Sequence, residues 1–451
     1  MVVVGRNGRK LAAACLTAAA GMFVISGCSS SDPEPAGSSG GGGGGECTTP
    51  TEIKMQGTIK SEIAEQFIAA VDFYNENNTD CVKVEVLEGA GTGTFLQNYT
   101  TAMASGDAPT IFYTLQEIPD IADNMMDWTG QPLAALAQGD TLVAGQVGDK
   151  QVGIPSTVEA FGLLYNKTVL DAAGVDPMSV HTTSALQDAF DAVAAVDGVE
   201  APMFFSGLWW SLGAHFTNVY HANSADTHEG RFAILDELKG GTKDLAADPV
   251  WNEWVDTIDM LKSNNSANAS IADDNYDTAV SDLSAGSVGF WFMGNWAEPN
   301  LLEFGPDNEY GIMPLPINDD ESFAGNSSIS VGVPGYFMID ESQTTQEQRD
   351  AAVALLTWFL TTPEGNAYWS GPTEEGGMNF IPVYDGFTVD PTTYMAKEIA
   401  SYVAAGNTLE WVNSAYPAGL QEVYGKEALA KYWSGTSDRA ALATDMANAW
   451  K

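Results

Sequence analysis

Residues 51–114 alternate short β-branched runs with amphipathic stretches, and this alternation limits the folds open to the chain. Val82, Val84 and Val86 occupy every second position of one run, which is the period of a half-buried strand. A stretch with apolar residues at helical spacing, 63–74, precedes that run. The resulting order of strand, helix, strand, helix and strand predicts an α/β fold with a parallel sheet and right-handed crossovers.

The alternation continues beyond residue 114, and the body is long enough for two domains of ordinary size. Pro249 predicts a helix start, because proline is favoured at the first helical position. Trp251 and Trp254 follow at helical spacing and are assigned to the buried face of that helix. Thr344 and Glu347 have the spacing of a capping box and predict a second helix over 344–360.

The N-terminus has the pattern of a secretion signal. Arg6, Arg9 and Lys10 precede an uncharged stretch, 11–25, which is shorter than a membrane span requires. Small residues then precede Cys28, as in a bacterial lipobox. We therefore expect residues 1–27 to be removed and Cys28 to be lipidated; a plain secretory signal with an incidental cysteine is the alternative.

Residues 28–46 have the composition of a tether. They include an unbroken glycine run, 40–45, and contain too few apolar side chains to form a core. A lipid anchor followed by such a linker would hold the body at the extracytoplasmic face of a bacterial, Gram-positive cell membrane without inserting it. Membrane contact is expected through the lipid alone.

Cys47 and Cys81 are the thiols that remain once Cys15 is removed and Cys28 is lipidated. Cys47 comes just before one predicted strand and Cys81 opens the next. A parallel sheet would place the starts of these two strands side by side. A disulfide closing this loop would stabilise the fold by about 3 to 4 kcal/mol in the chain-entropy model. Two unpaired thiols are the alternative, which an oxidising compartment disfavours.

The formal net charge of −42 excludes one class of partner and disfavours another. Nucleic acid is excluded, because its phosphates require basic surfaces. Anionic solutes are disfavoured unless a site is locally basic, so a neutral ligand fits best. Solubility at a crowded or salty cell surface accounts for most of the acidity.

Four segments, 153–167, 284–296, 310–316 and 356–369, keep the order and spacing found in one known family. Together they resemble the sugar-binding components of ABC importers, a family of extracellular solute-binding proteins. Two departures are Pro109-Thr110, where the family has Pro-Asp, and an acidic stretch at 317–326.

The resemblance implies a two-lobed, periplasmic-binding-protein-like fold of type II, with a hinge and a ligand cleft between the lobes. The N-terminal lobe would comprise 47–157 and 318–372, and the C-terminal lobe 158–317 and 373–451.

The resemblance also implies which polar residues meet a sugar. Tyr113 ends a predicted strand, Gln116 and Glu117 follow it, and Glu159 matches a sugar-contacting glutamate of the family. Sugars present hydroxyls to polar side chains and C–H faces to aromatic rings. The alternatives are a core role for Tyr113, a helix start for Gln116 and Glu117, and a hinge carboxylate for Glu159.

Four aromatic residues complete the expected site. We expect Trp296 and at least one of Trp209 and Trp210 to stack on sugar, because they follow strands and cleft sites form at strand ends. Tyr416 is expected to line the far side of the cleft. Core packing is the alternative for each tryptophan.

No cofactor or metal is expected. The loop at 89–93 follows a strand but lacks the P-loop lysine, and the acidic run at 273–277 lacks the glycine and glutamate of an EF-hand. His181, His215, His221 and His228 do not have zinc-site spacing.

The expected function is that of a monomeric substrate-binding lipoprotein, not an enzyme. It would pass a neutral monosaccharide or oligosaccharide to the transmembrane permease subunits of an ABC importer. A surface glycoside hydrolase using Glu117 and Glu159 is one alternative, since such enzymes need two carboxylates about 5 to 9.5 Å apart. A carbohydrate-binding adhesin is the other.

Overall fold

The computed structural model describes residues 47, 49–57, 63–87, 94–266, 271, 275–371, 377–386 and 391–451. The predictions for the signal peptide, Cys28 and the linker, for the loop at 89–93 and for residues 273 and 274 lie outside these residues. The body from Cys47 to Lys451 forms one compact unit.

The strands form two main sheets and one short ribbon. In chain order they are β1 (Thr51–Gly57), β2 (Val82–Leu87), β3 (Ile111–Thr114), β4 (Gln146–Val147), β5 (Lys150–Gln151), β6 (Ile154–Pro155), β7 (Glu159–Asn166), β8 (Ala201–Phe204), β9 (Val288–Gly294), β10 (Tyr310–Met313), β11 (Ile329–Gly332), β12 (Tyr336–Ile339) and β13 (Thr408–Glu410).

The α-helices cover both main sheets. In chain order they are α1 (Ala64–Asn77), α2 (Phe95–Ser105), α3 (Ile118–Ile121), α4 (Pro132–Ala135), α5 (Lys167–Ala173), α6 (Thr183–Ala194), α7 (Thr217–Asn223), α8 (His228–Lys239), α9 (Pro249–Asn264), α10 (Tyr276–Ala285), α11 (Glu298–Phe304), α12 (Gln346–Thr361), α13 (Pro363–Ser370), α14 (Tyr394–Ala405), α15 (Leu420–Glu422), α16 (Ala430–Trp433) and α17 (Arg439–Asn448). None of the described helices is both long and apolar enough to cross a lipid bilayer.

The first sheet has the strand order β2-β1-β3-β12-β6. Strands β1, β2 and β3 run parallel, as the alternation of strands and helices predicts, and β12 joins β3 in the antiparallel direction. Thr51 pairs with Val82, so the two strand starts lie side by side. Beside them Cys47 and Cys81 form a disulfide with a Cα–Cα distance of 5.4 Å.

The second sheet has the order β13-β11-β7-β9-β8, with β10 also paired to β7. All eight residues of β7 are buried. Strand β9 covers one edge of β7, while β11 and β10 share the other edge, at its beginning and its end respectively. This position at the centre of the sheet explains why β7 is a nearly continuous apolar run and not an alternating one.

The chain passes between the two sheets at 156–158 and again at 333–335, and these crossings lie side by side. The Ser156 N–H and hydroxyl both donate to the Gly335 carbonyl, at 3.1 and 3.0 Å. The sequence predicts residues 318–372 to lie in the first lobe, but β11 pairs with β7 and β13 in the second sheet. The change of sheet occurs at Pro334. Proline has no backbone N–H, so it cannot continue the hydrogen bonding between strands. The predicted boundary is therefore early by at least the length of β11.

Two helix starts can be compared with their predictions. The start of α9 at Pro249 is confirmed, and Trp251 and Trp254 are fully buried. The capping box of α12 is one residue later than predicted and consists of Thr345 and Gln348. The reason is that the Thr344 hydroxyl donates to the Asp340 carbonyl and does not cap the helix.

Candidate ligand-binding site

Glu159 is the first residue of β7 and follows the first crossing directly. Its side chain is only 1% exposed, and it lies opposite Gly332 of β11 in the second sheet. Tyr113, at the end of β3 in the first sheet, is near enough for the two groups to interact electrostatically. Burial raises the pKa of the Tyr113 hydroxyl, and the negative charge of Glu159 adds to this effect. The structure thus brings these two predicted residues together from different sheets.

Glycines and the crossings hold Tyr113 in place. Its hydroxyl lies 3.2 Å from Ser156 Oγ in the first crossing, and its ring packs on Phe337 with centroids 4.8 Å apart. A Cβ atom on Gly335 would lie 2.4 Å from Tyr113 Cζ, so only glycine fits beneath the ring. The ring therefore packs on the first lobe while its hydroxyl faces the crossing.

An aromatic cluster, defined here as Phe161, Trp210, His215, Trp296 and Trp411, lies beside Glu159 in the second lobe. His215 is central to it, with ring centroids 4.6 Å from Phe161, 4.9 Å from Trp296, 5.5 Å from Trp210 and 5.6 Å from Trp411. Trp210 and Trp296, both predicted site residues, have centroids 6.1 Å apart. Trp296 is fully buried, whereas Trp210 is half-buried.

Two glycines allow the tryptophans of the cluster to lie flat against the sheet. A Cβ on Gly294, at the end of β9, would lie 2.0 Å from Trp296 Cζ3. A Cβ on Gly332, at the end of β11, would lie 2.3 Å from Trp411 Cγ. Since real Cβ atoms do not approach other atoms so closely, glycine is required at both strand ends for this arrangement.

Two π-helical turns lie beside the site in the second lobe. Ser211–Phe216 contains His215 and directly follows Trp210, and Val423–Leu429 follows Gln421 closely. The turns pack through glycines: a Cβ on Gly213 would lie 1.8 Å from the Gln421 carbonyl oxygen. Such turns are rare in proteins and occur often at functional sites.

Gln116 and Glu117, adjacent in the loop after β3, have different partners. Gln116 Nε2 donates to the Asn413 carbonyl at 3.2 Å and to Gln421 Oε1 at 3.4 Å, and so it joins the first lobe to the second. Glu117 accepts a hydrogen bond from Thr114, the last residue of β3, and occupies the position before α3. Its placement agrees with the alternative interpretation, a residue that opens a helix.

Trp209 and Tyr416 lie outside the aromatic cluster. The Trp209 ring faces Lys426, whose Nζ lies 5.5 Å from the ring centroid. Tyr416 is 2% exposed, packs on Tyr424 and Trp450, and has its hydroxyl 2.9 Å from Thr217 Oγ1. Tyr416 therefore occupies the interior of the second lobe, which was not its predicted place.

Buried amides and carboxylates flank Trp296. Asn295 Oδ1 accepts from the Ala160 N–H at 3.0 Å and so braces the start of β7. Glu298, 2% exposed, lies 3.5 Å from Asn379 Nδ2. Polar groups able to bind hydroxyls thus lie next to aromatic faces. Among the described residues, no group of three or more His, Cys, Asp or Glu side chains is arranged to hold a metal ion.

Sequence reasoning missed His215, Trp411, Asn413 and Gln421. His215 was considered only as a metal ligand, and Trp411 was not considered. One signal was available for Trp411: it follows a short strand, as do the tryptophans that were selected. The other residues carry no local signal, because their role depends on contacts with distant parts of the chain.

Two α/β lobes joined by adjacent crossings, with an aromatic and polar site beside them, define a two-lobed binding protein. Residues 53–367 match the family model of the bacterial extracellular solute-binding proteins. This match covers more than half of the chain, which therefore belongs to that family.

Solved structures show the same fold at low sequence identity. A family 1 extracellular solute-binding protein from Bifidobacterium longum subsp. infantis is 17% identical, with a TM-score of 0.63 over 89% of this chain and 99% of that one. A sugar transporter from Bacillus licheniformis in complex with stachyose is 16% identical, with a TM-score of 0.66 over 88% and 98%. A cyclic alpha-maltosyl-1,6-maltose binding protein from Arthrobacter globiformis is 20% identical, with a TM-score of 0.61 over 89% and 99%. No curated protein sequence matches the chain.

Proposed function

We propose that this protein is the substrate-binding lipoprotein of a carbohydrate ABC importer, and that it binds a neutral sugar or oligosaccharide between its lobes. The observation that carries the proposal is the aromatic cluster beside buried Glu159, at the place where the chain crosses between the sheets. Aromatic faces together with a few fixed polar groups match the C–H faces and hydroxyls of a sugar.

Buried polar atoms in the second lobe support this assignment. Trp411 Nε1 and Asn413 Oδ1 are buried and have no hydrogen-bond partner among the described residues. An unpaired buried polar group costs about 1 to 3 kcal/mol, which a ligand hydroxyl would recover. We assign the indole N–H as a donor and the amide oxygen as an acceptor to sugar hydroxyls.

Within the site, Trp210 and Trp296 would supply stacking surfaces, and Tyr113 and Glu159 would supply hydrogen bonds from opposite sides of the crossing. Gln116 would act in closure, through its contacts with Asn413 and Gln421. Direct sugar contact by Glu117, Trp209 or Tyr416 draws no support from their positions, and we leave these three out of the proposed site.

Ligand entry would require the lobes to separate. Glu159 is 1% exposed and Trp296 is fully buried, so a sugar cannot reach either one in this conformation. Hinge opening of two domains is a common way to expose such a site. The structure then corresponds to a closed form, with the Gln116 contacts between the lobes already made.

The names of similar proteins agree with an oligosaccharide ligand, since one is a complex with stachyose and another binds a cyclic maltosyl-maltose. The cellular part of the proposal extends further. It comprises signal cleavage, lipidation at Cys28, a tethered monomer on the outer face of a Gram-positive membrane, and transfer of the sugar to the permease subunits.

The adjacent tryptophans 209 and 210 provide a matched test. Calorimetric titration with stachyose, raffinose, maltotetraose and chitotetraose should find a ligand for the wild-type protein. Trp210→Ala should weaken that binding about 5- to 150-fold, the loss expected for a stacking contact of about 1 to 3 kcal/mol. Trp209→Ala, the control, should change it less than threefold.

Equal losses in the two variants would contradict the assignment of Trp210. Chromatography after long incubation should recover the bound oligosaccharide intact. Cleavage products that disappear in Glu159→Gln would instead support the glycoside hydrolase. No binding to any of the four sugars would overturn the choice of ligand and leave the fold unaffected.

A further inference from the structure

A groove lies at the end of β7 opposite to Glu159, between α5 and α14. It consists of two adjoining cavities of about 370 and 310 Å³ that share Tyr394. Residues of the end of β7, α5 and the loop that follows line one cavity, whereas Met178 and residues of α14 line the other. We call this region the distal groove. It is built from elements of the second lobe.

Glu398 is the carboxylate in the wall of the cavity that α14 lines. It is half-buried, and it accepts hydrogen bonds from the Tyr165 hydroxyl at Oε1 and from the Ile312 N–H at Oε2, the latter at 2.8 Å. The Tyr394 side chain is a third hydrogen-bonding partner. A carboxylate can accept about four hydrogen bonds, so capacity remains for another donor. Glu398 forms no ion pair with any residue that the structure describes. Lys167, across the groove, is paired with Asp171 at 2.5 Å.

Tyrosine rings and a thioether line the groove beside this carboxylate. Tyr394 and Tyr402 project from α14 near Glu398, and Met178, 49% exposed, lies across from them. Lys167 Nζ already lies 5.8 Å from the centroid of the Tyr394 ring. The ring face is therefore in a position that favours positive charge.

We propose that the distal groove binds a small organic ammonium ion. The ammonium group donates a hydrogen bond to Glu398, and its alkyl chain lies against Tyr394, Tyr402 and Met178. A carboxylate with tyrosine rings beside it is the combination that recognises alkylammonium groups, through ion pairing and cation–π attraction. The formal net charge of −42 also raises the local concentration of cations. This inference does not depend on the sugar site.

The electrostatics of the groove make binding dependent on pH. Burial raises the pKa of Glu398 to about 7. The charged and titratable groups around it are Tyr165, Lys167, Asp171, Asp176, Tyr394, Lys397 and Tyr402. An ammonium ion favours the ionised carboxylate, so its binding displaces a proton from Glu398 to the buffer. With a pKa near 7, the affinity should be about tenfold higher at pH 8 than at pH 6.

Pentylammonium and 1-pentanol form a matched pair of probes, because they differ in charge and hardly in shape. Titration of the purified protein at pH 8 should show saturable binding of pentylammonium, weaker by about tenfold at pH 6, and no comparable binding of 1-pentanol. Equal binding of the two compounds would show a merely apolar cavity and would overturn the proposal. Failure of pentylammonium to saturate at pH 8 would also overturn it.

Two variants locate the binding. Glu398→Gln keeps the shape of the side chain and should weaken pentylammonium binding at least tenfold and remove its pH dependence. Glu347→Gln, on an exposed turn of α12, makes the same change in net charge and should leave binding as it is. Tyr394→Leu should weaken binding several-fold. Urea unfolding transitions close to that of the wild-type protein would show that the variants fold, and sugar affinity should be unchanged in all three. Wild-type binding in Glu398→Gln would overturn the proposal.

Discussion

The two ends of β7 combine a carboxylate with aromatic rings in different ways. At its beginning, Glu159 is almost completely buried and lies near Tyr113 of the other sheet. At its end, Tyr165 bonds to Glu398, a half-buried carboxylate beside open cavities. The first arrangement needs both lobes, whereas the second is complete within one. We infer that binding at the first end depends on lobe motion and that binding at the second does not.

Among the tests of this difference, removal of the disulfide has the largest expected effect. The double variant Cys47→Ser, Cys81→Ser should lose about 3 to 4 kcal/mol of unfolding free energy, because the bond closes a loop with a sequence separation of 34. Urea unfolding measures the loss. The bond joins the chain at the starts of β1 and β2, in the sheet that carries Tyr113. Its removal should make local opening of that sheet more frequent, so sugar affinity should fall while pentylammonium affinity stays constant.

The control for this experiment is the wild-type protein titrated at the same temperature, well below the unfolding transition of the variant. A parallel loss of both affinities would show that the distal groove also depends on the first sheet. The contrast between the two ends of β7 would then be wrong.

The pH dependence of stability tests the distal end alone. The folded-state pKa of Glu398 is about 7, against 4.5 in the unfolded chain. Between these values the folded protein holds a proton that the unfolded chain has lost, so this group lowers stability as the pH rises from 4.5 through 7. Relative to Glu398→Gln, wild type should lose about 1 to 2 kcal/mol between pH 4.5 and pH 8, allowing for the partial exposure of the group.

Urea unfolding of both proteins at pH 4.5, 6 and 8 measures this loss, with Glu347→Gln as the variant of equal charge. If the difference in unfolding free energy between wild type and Glu398→Gln were the same at all three pH values, the predicted titration of Glu398 would be wrong.

A substitution of Gln116 has the smallest expected effect, and it tests the site at the beginning of β7. Its two contacts with the second lobe are long, 3.2 and 3.4 Å, and together are worth about 0.5 to 1.5 kcal/mol. Gln116→Ala should therefore raise the dissociation rate of bound sugar about two- to tenfold in stopped-flow fluorescence. Glu117→Gln is the control, since Glu117 bonds to Thr114 of β3, in its own lobe. If only Glu117→Gln raised the dissociation rate of sugar, Glu117 and not Gln116 would be the residue that acts in closure.

Prediction from sequence succeeded best where the signal was local. The parallel order of β1, β2 and β3, the start of α9 at Pro249 and the burial of Trp251 and Trp254 all follow from short-range patterns. The capping box of α12 was displaced by one residue, because Thr344 and Thr345 are equivalent in sequence and only the bond to Asp340 separates their roles.

Prediction of the site was partial for a different reason. Tyr113 and Glu159 are near each other, and Trp210 and Trp296 share a cluster, whereas their contact with sugar stays a prediction. Tyr416 satisfies the same kind of criterion and lies in the interior. His215 has no local feature of a binding residue, and it is central to the cluster only because its π-helical turn packs beside β7 and β9.

The sequence by itself determined the α/β class, the family, the pairing of strand starts beside Cys47 and Cys81, and the start of α9, because these depend on periodicity and on neighbouring residues. The tertiary structure alone decided that β11 belongs to the second sheet, that Gln116 reaches Gln421, and that Glu398 lies against Tyr165. Those contacts join residues far apart in the chain, and no local pattern records which distant surfaces will pack together.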